Sequence, residues 1–290
     1  MRVLSALAQL VEQMTVNHWV AGSSPARGAN FRPAYKVGLF YCDSINFHMP
    51  AKLFNPSSEE PFVLSRSRID NFLECSRCFY LTNRIGIARP PSYPFNLNNA
   101  VDELLKNEFD IYRDQQKPHP IMIENRLKAL PYQHPDLEKW RESLRHGVKR
   151  SHEETNLILR GGLDDLWINT ETKQLIVVDY KATSKKGEVS IDADWQIGYK
   201  RQIEFYQWLL RGNSFDVSDI GYFVYCNGIS EKDEFNDQLE FKTKLIPYKG
   251  NDSWVEPTLF DLKETLLKDE VPEANPKCSY CSYVKKTLMV

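Results

Sequence analysis

Two acidic segments near the middle of the chain have the residue types and spacing of a divalent-cation site. Asp179 and Lys181 follow the apolar residues 175–178, and Asp164 ends the segment GGLD that lies upstream. Side chains at i and i+2 of a strand point to the same face, so Asp179 and Lys181 are predicted to leave a buried strand side by side. Carboxylates can bind a hard cation, and a nearby lysine can orient or deprotonate a water molecule.

A hairpin between residues 156–168 and 174–181 would bring the carboxylates together. The segment TETK between them is typical of a turn, and opposed residues of an antiparallel pair have numbers with a constant sum. The numbers of Asp164 and Asp179 average 171.5, a value within TETK, so the two residues are predicted to face each other. Opposed Cβ atoms are about 5 Å apart, and like charges that close favour a protonated group or a cation between them. Mg²⁺ or Mn²⁺ would suit this oxygen pair.

A plainer interpretation needs no cation. Asp179 would form a salt bridge with Lys181 at the strand end, and Asp165 would face solvent as the second acid of the doublet. We favour a metal-dependent site because three ionisable groups converge beside apolar strands.

An α/β domain with a mixed β-sheet flanked by helices is predicted to position these groups. Strand 175–180, helix 195–211 and strand 220–226 form a right-handed βαβ crossover. Residues 238–246 alternate as an outer strand, and residues 99–116 form the clearest helix. The apolar stripe of that helix comprises Val101, Leu104, Leu105, Phe109 and Tyr112.

Three motifs occur in order on these elements: Gly161-Gly162-Leu163-Asp164, then Asp179-Tyr180-Lys181, then Gln202 to Tyr206. They resemble the GxxD, (D/E)XK and QxxxY motifs of the PD-(D/E)XK nuclease superfamily, in its RecB-like branch. A DxK triplet alone occurs by chance in most proteins, so the order of all three motifs carries the resemblance. It covers about residues 64–284 and implies a restriction-endonuclease-like core.

The resemblance implies a role for each matched residue. Asp164 and Asp179 would ligate the metal, with the backbone carbonyl of Tyr180 as a third ligand. Lys181 would serve the attacking water and stabilise the developing negative charge. Gln202 and Tyr206 would position the lysine or the DNA backbone; in the plainer alternative Tyr206 is only a core residue.

One position departs from the RecB-like pattern. That branch often carries a metal-binding histidine on the helix before the sheet, and the helix with NNAVDELLKNEF has none. Asp102 is predicted to occupy the histidine position and to bind the metal through oxygen. The alternative is that the acids of this helix are only solvated charges.

Two cysteine pairs bracket the predicted domain: Cys75 and Cys78, then Cys278 and Cys281. Each CxxC can offer two thiolates to one ion, so the pairs are predicted to form a shared site that joins the two ends of the domain. Some RecB-like nucleases, including CRISPR-associated and AddB-type members, hold a four-iron–four-sulfur cluster with one N-terminal and three C-terminal cysteines. This chain divides them two and two, so the resemblance favours a 4Fe–4S cluster and the spacing leaves structural Zn²⁺ as the alternative.

Bulk composition is that of an ordinary globular protein. The chain has 290 residues, of which 42% are hydrophobic and 26% charged, and its formal net charge is −2. Without an overall basic excess, contacts to nucleic acid must come from local patches. The candidate patches are Arg66, Arg68, Arg77, Arg84 and Arg89 beside the first cysteine pair, and Lys185, Lys186, Lys200 and Arg201 near the acidic site.

The N-terminal residues 1–48 stand apart from the rest. The segment VAGSSPARGAN lacks periodicity and resembles the translation of a T-loop-like string from a tRNA gene. We expect residues 1–48 to be disordered or a start-site artefact, and residues 49–290 to form the nuclease-like domain. The absence of any run of about 18 apolar residues predicts no membrane span, and paired CxxC motifs are typical of a reducing compartment, here the cytoplasm.

These patterns together predict an Mg²⁺-dependent deoxyribonuclease of DNA repair, recombination or defence. Its expected partner is single- or double-stranded DNA. Because the sequence has no helicase motif, any motor would be a separate chain. Two alternatives remain: an inactive nucleic-acid-binding module of the same fold, and a zinc or redox protein built around the four cysteines.

Overall fold

A computed structural model describes residues 52–91 and 95–289, and the expectation for residues 1–48 lies outside them. The strands of the described part are β1 Phe62–Ser65, β2 Ala129–Pro131, β3 Val148–His152, β4 Leu157–Gly161, β5 Asp165–Asn169, β6 Leu175–Thr183, β7 Ile220–Gly228 and β8 Phe241–Lys249. The helices are α1 Arg66–Glu74, α2 Ser76–Tyr80, α3 Asn96–Asp114, α4 Pro120–Glu124, α5 Leu137–Arg141, α6 Ile197–Gly212, α7 Val255–Leu267 and α8 Ser279–Thr287.

Strand β6 is the centre of a five-stranded mixed sheet with the order β2-β5-β6-β7-β8. It pairs in parallel with β7, and α6 connects the two strands, which confirms the predicted βαβ crossover. Strand β8 pairs antiparallel with β7 at the edge of the sheet. This agrees with the outer strand that the alternating pattern predicted. Strand β6 has a paired strand on each side and a hydrophobic core on each face, which explains its continuous run of apolar residues.

The hairpin register is confirmed. Asp165 pairs with Val178 and Ile168 pairs with Leu175, so the residue numbers of each pair have the same sum as 164 and 179. Asp164 lies one residue before β5 and is therefore level with Asp179.

The prediction of one strand over residues 156–168 is wrong. The chain leaves β4 at Gly161 and starts β5 at Asp165, and β4 belongs to a second, three-stranded sheet with the order β1-β4-β3. A Cβ on Gly162 would lie 2.7 Å from the Cα of Ser143, so only glycine allows the close backbone approach at this break. The single predicted sheet is thus two sheets flanked by helices.

The two faces of β6 pack against different parts of the molecule. Ile176, Val178 and Tyr180 face the core formed with α3 and α4. Leu175 and Val177 face the core that contains α6, and the period of two places Asp179 and Lys181 on this same face. The alternation therefore directs the acid and the lysine toward the helix that carries Gln202 and Tyr206.

Helix α3 covers the sheet with a narrower stripe than the sequence predicted. Leu105 and Phe109 are buried, whereas Leu104 is 66% exposed. A helix that packs on one face of a sheet buries only the side chains directed at that sheet, and Leu104 lies one position off that direction. Within the described ranges, helices long and apolar enough to cross a membrane are absent.

Candidate active site

A cleft of about 270 Å³ opens where β6 ends, between the N-terminal part of α3 and the start of α6. Polar side chains from three elements meet there. The residues that line it include Asn98, Asp102, Asp164, Lys181, Tyr199 and Gln202. The structure therefore brings the predicted acid, lysine and helix residues to one place.

Asp164 accepts hydrogen bonds from one backbone donor and one side-chain donor. The N–H of Tyr180 donates to Asp164 Oδ2 at 2.9 Å, and Arg141 Nε donates to the Asp164 carbonyl at 3.2 Å. Burial and the adjacent Asp179 carboxylate raise the pKa of Asp164 to about 7, although Lys181 and the Tyr180 N–H act against them. Two buried carboxylates this close together favour either a proton on one of them or a cation between them, as the sequence predicted.

Asp179 is fully buried and forms an ion pair with Lys181. Neither carboxylate oxygen accepts a hydrogen bond within the described part of the chain, and Oδ1 is also outside the ion pair. A buried carboxylate normally has its lone pairs occupied, so the free oxygen leaves coordination capacity for a cation. The ion pair itself is the contact that the plainer interpretation predicted.

Lys181 is surrounded by groups that direct its ammonium. Its Nζ lies 3.4 Å from Gln202 Oε1 and 3.5 Å from the Tyr180 carbonyl. It also lies 4.7 Å from the centre of the Tyr199 ring, within the range of a cation–π contact. A long, flexible side chain thereby becomes ordered at the edge of the cleft.

Tyr206 connects α6 to the break between the two sheets. Its hydroxyl donates to the Gly162 carbonyl and accepts a hydrogen bond from Gln202 Nε2 at 3.5 Å. A Cβ on Gly161 would lie 2.5 Å from a ring carbon of Tyr206, so the ring needs a glycine beneath it. Tyr206 is buried, yet its hydroxyl anchors the loop that presents Asp164, so it is more than a core residue.

Asp102 lines the same cleft from α3. Its carboxylate pairs with Lys106 at 2.6 Å, and burial together with the charge of Asp164 raises its pKa. Asp102 is therefore close enough to Asp164 for the two carboxylates to interact electrostatically, and its role as a ligand stays a prediction.

Asp165 does not face solvent, contrary to the plainer interpretation. It is the first residue of β5, is fully buried, and pairs with Arg113 and, at 3.1 Å, with Arg141. Tyr180 Oη donates to it at 2.8 Å, and Trp167 Nε1 donates at 3.1 Å. Its arginine partners are 52 and 24 residues away in the sequence, so the doublet alone carried no signal of this network.

Arg66 brings a positive charge to the acidic face from the start of α1. It pairs with Asp70 on the next turn. Burial opposes its charge, but Tyr206, Asp70, Asp179 and Asp164 raise the pKa of Arg66 above its ordinary value. Sequence reasoning linked Arg66 to the cysteine pair, whereas in the structure its charge also lies within electrostatic range of the two acids.

The four cysteines of the two CxxC motifs come from opposite ends of the described chain and converge at the N-terminal ends of α2 and α8. Their sulfur atoms all lie within 4.8 Å of one another, and Cys75, Cys78 and Cys278 are buried. This is the cysteine cluster that the spacing predicted.

The comparison with protein-family models agrees with the motifs. The family model of the PD-(D/E)XK nuclease superfamily matches residues 63–285. The chain belongs to the PD-(D/E)XK nuclease superfamily. A search of curated proteins gave no match. A solved structure titled "Crystal structure of SSO0001" is 15% identical, with a TM-score of 0.36 over 79% of this chain and 86% of that chain.

Proposed function

We propose that this protein is a metal-dependent nuclease that hydrolyses DNA phosphodiester bonds, within the RecB-like branch of its superfamily. The observation that carries the proposal is the convergence of Asp164, Asp179 and Lys181, with an oxygen of the buried Asp179 carboxylate left without a partner among the described residues. Membership of the superfamily supports nuclease chemistry. The ordered GxxD, DxK and QxxxY motifs support the RecB-like assignment.

The donors at the site fit a hard divalent cation such as Mg²⁺ or Mn²⁺. The Asp164 and Asp179 carboxylates and the Tyr180 carbonyl would hold it, with Asp102 on α3 as an additional oxygen donor. When bound, such an ion polarises a phosphoryl oxygen and lowers the pKa of a coordinated water.

The protein's own groups would then position the substrate and stabilise its charge. The Lys181 ammonium lines the cleft and would stabilise the negative charge that develops on the phosphate oxygens during hydrolysis. Gln202 fixes the direction of Lys181, and Tyr206 fixes the loop of Asp164. Arg66 adds a positive charge on the same face, which favours the approach of a phosphate.

The DNA would approach along basic side chains next to the cleft. Lys185 lines a pocket of about 530 Å³, together with Lys242 and Lys244. Further basic side chains follow β6: Lys186 in the loop after the strand, and Lys200 and Arg201 in α6. A net charge of −2 makes such a local patch necessary, because phosphate contacts dominate affinity for DNA. The proposal extends to a role in DNA repair, recombination or defence, with any helicase supplied by a separate chain.

A cleavage assay on labelled oligonucleotides tests the proposal. Single-stranded DNA, double-stranded DNA and RNA of the same sequence are incubated with the full chain in Mg²⁺, in Mn²⁺ and without added divalent ion. We expect DNA cleavage that requires the ion. DNA that is bound but uncut in both metals would indicate the inactive binding module instead. Neither binding nor cleavage would indicate a protein whose function lies in its cysteine site.

A further inference from the structure

The sulfur atoms of the cysteine cluster are close together. Cys78 Sγ lies 3.5 Å from Cys281 Sγ and 3.6 Å from Cys278 Sγ, and Cys75 Sγ lies 3.8 Å from Cys281 Sγ. None of these pairs is a disulfide. The separations therefore record how four unlinked thiols are arranged around a common centre.

That arrangement has the size of one metal's coordination shell. With metal–sulfur bonds of about 2.3 Å, the corners of a regular tetrahedron are about 3.8 Å apart. The three measured separations lie at or just below this length, and each cysteine contributes to at least one of them. We propose that Cys75, Cys78, Cys278 and Cys281 bind a single tetrahedral Zn²⁺ ion, and not a four-iron cluster.

A four-iron cluster does not fit between these thiols. Each thiolate of such a cluster binds a different corner iron, so the iron framework and its sulfides separate the four cysteine sulfurs from one another. All four sulfurs here lie within 4.8 Å of one another, which leaves the space of one ion at their centre. The sequence expectation of iron–sulfur rested on the family resemblance, whereas the arrangement of the thiols favours its alternative.

The two CxxC halves also have the same local structure. Cys75 immediately precedes α2 and Cys278 immediately precedes α8. The Cys75 carbonyl accepts from the Phe79 N–H at 3.1 Å, and the Cys278 carbonyl accepts from the Ser282 N–H at 3.0 Å. Two equivalent halves that each offer two thiolates are typical of a closed structural zinc site.

Arg89 provides charge compensation next to the cluster. Its guanidinium lies 4.0 Å from Cys278 Sγ and is held by Glu74 at 2.6 Å and Asn71 at 2.9 Å. Four thiolates around one Zn²⁺ keep a net negative charge, which a fixed guanidinium offsets. Arg89 thus lies next to the cluster and is not one of its ligands.

Metal content and metal geometry test the proposal without any reference to nuclease activity. The full chain is purified anaerobically from cells supplied with both iron and zinc, and its metals and acid-labile sulfide are measured. X-ray absorption at the zinc edge then reports the ligands. We expect one zinc per chain, no labile sulfide, no visible absorption, and four sulfur ligands at about 2.3 Å.

Cobalt and cysteine variants provide a second measurement. Titration of metal-free protein with Co²⁺ should give the tetrahedral thiolate spectrum at one equivalent, and Zn²⁺ should displace it. Cys78→Ser should lose that spectrum, while the matched variant Cys226→Ser should keep it, because Cys226 contacts Thr243 on β8 and is outside the cluster. If Cys78→Ser does not fold, the titration of the unaltered chain still decides. Brown protein with four irons and sulfide per chain, or Co²⁺ bound without tetrahedral thiolate bands, would overturn the proposal.

Discussion

Asp164 makes the acidic site sensitive to pH. Burial and the Asp179 carboxylate raise its pKa to about 7, from an ordinary value of 3.8 that also describes the unfolded chain. Between these two values the native protein binds a proton that the unfolded chain has released. Stability therefore falls as the pH rises through this window, because an ionised Asp164 next to Asp179 is unfavourable without a cation.

We expect Asp164→Asn to raise the free energy of unfolding at pH 8 by on the order of 2 kcal/mol when no divalent ion is added, since a pKa unit corresponds to about 1.4 kcal/mol. At pH 5 the wild-type carboxyl is mostly protonated, so the gain should be smaller. Urea unfolding of both proteins at the two pH values measures the difference. An equal gain at both would show that Asp164 is not the group that titrates.

At the scale of elements, a network of ion pairs and hydrogen bonds around the buried Asp165 holds strands β5 and β6 in place. Arg113 from α3 and Arg141 from α5 both pair with this carboxylate, and Tyr180 of β6 donates to it. Arg141 also donates to the Asp164 carbonyl. The network therefore joins two helices to the strand ends that carry the site.

Asp165→Asn should lower the free energy of unfolding by about 3 kcal/mol, because it leaves buried guanidinium groups without their carboxylate. The matched change Glu171→Gln removes the exposed ion pair with Lys128 and should cost less than about 1 kcal/mol. Urea unfolding compares the two. Similar small losses would mean that the network contributes little to holding the strands.

The break between β4 and β5 depends on Gly162. Gly162→Ala places a Cβ 2.5 Å from the Ser143 Cβ and 2.7 Å from its Cα, so the backbone must shift. We expect a loss of about 2 kcal/mol or more in the free energy of unfolding. Gly198→Ala, where a Cβ meets open space at the start of α6, should instead be neutral or stabilising by up to about 1 kcal/mol. A tolerated Gly162→Ala, seen as an unchanged thermal midpoint, would contradict the close approach.

The elements also explain what the sequence could and could not predict. The turn TETK was enough for the register that sets Asp164 level with Asp179, because pairing within a hairpin is local. The break at Gly162 was not predictable, since its cause is a contact with Ser143 that no short-range pattern reports. The burial of Asp165 was not predictable for the same reason, because its partners Arg113 and Arg141 come from helices distant in the sequence.

At the scale of the whole molecule, the cysteine cluster joins helices that are about 200 residues apart in sequence. Within the described ranges, none of its four cysteines lines the cleft. Its contribution is therefore to keep the ends of the domain together, while the acidic site depends on the central sheet and α6.

If the cluster binds the Zn²⁺ ion that we propose, removal of that ion should affect these ends first. We expect faster amide hydrogen exchange in α2 and α8 of metal-free protein, with β6 and α6 keeping most of their protection. Exchange mass spectrometry of the metal-loaded and metal-free chains measures this. Uniform loss of protection would show that the cluster supports the whole fold, and unchanged exchange in α2 and α8 would show that it supports neither end.

Cleavage of DNA by site variants tests the proposed function most directly. Initial rates on a labelled DNA substrate in Mg²⁺ are compared for the unaltered chain, Asp179→Asn and Lys181→Ala. The control variants Asp261→Asn and Lys117→Ala carry the same kinds of change at exposed positions outside the cleft. We predict a loss of roughly 10²-fold or more for both site variants, with unchanged circular dichroism, and no loss for either control. Full activity in Asp179→Asn or in Lys181→Ala would contradict the assignment of the active site.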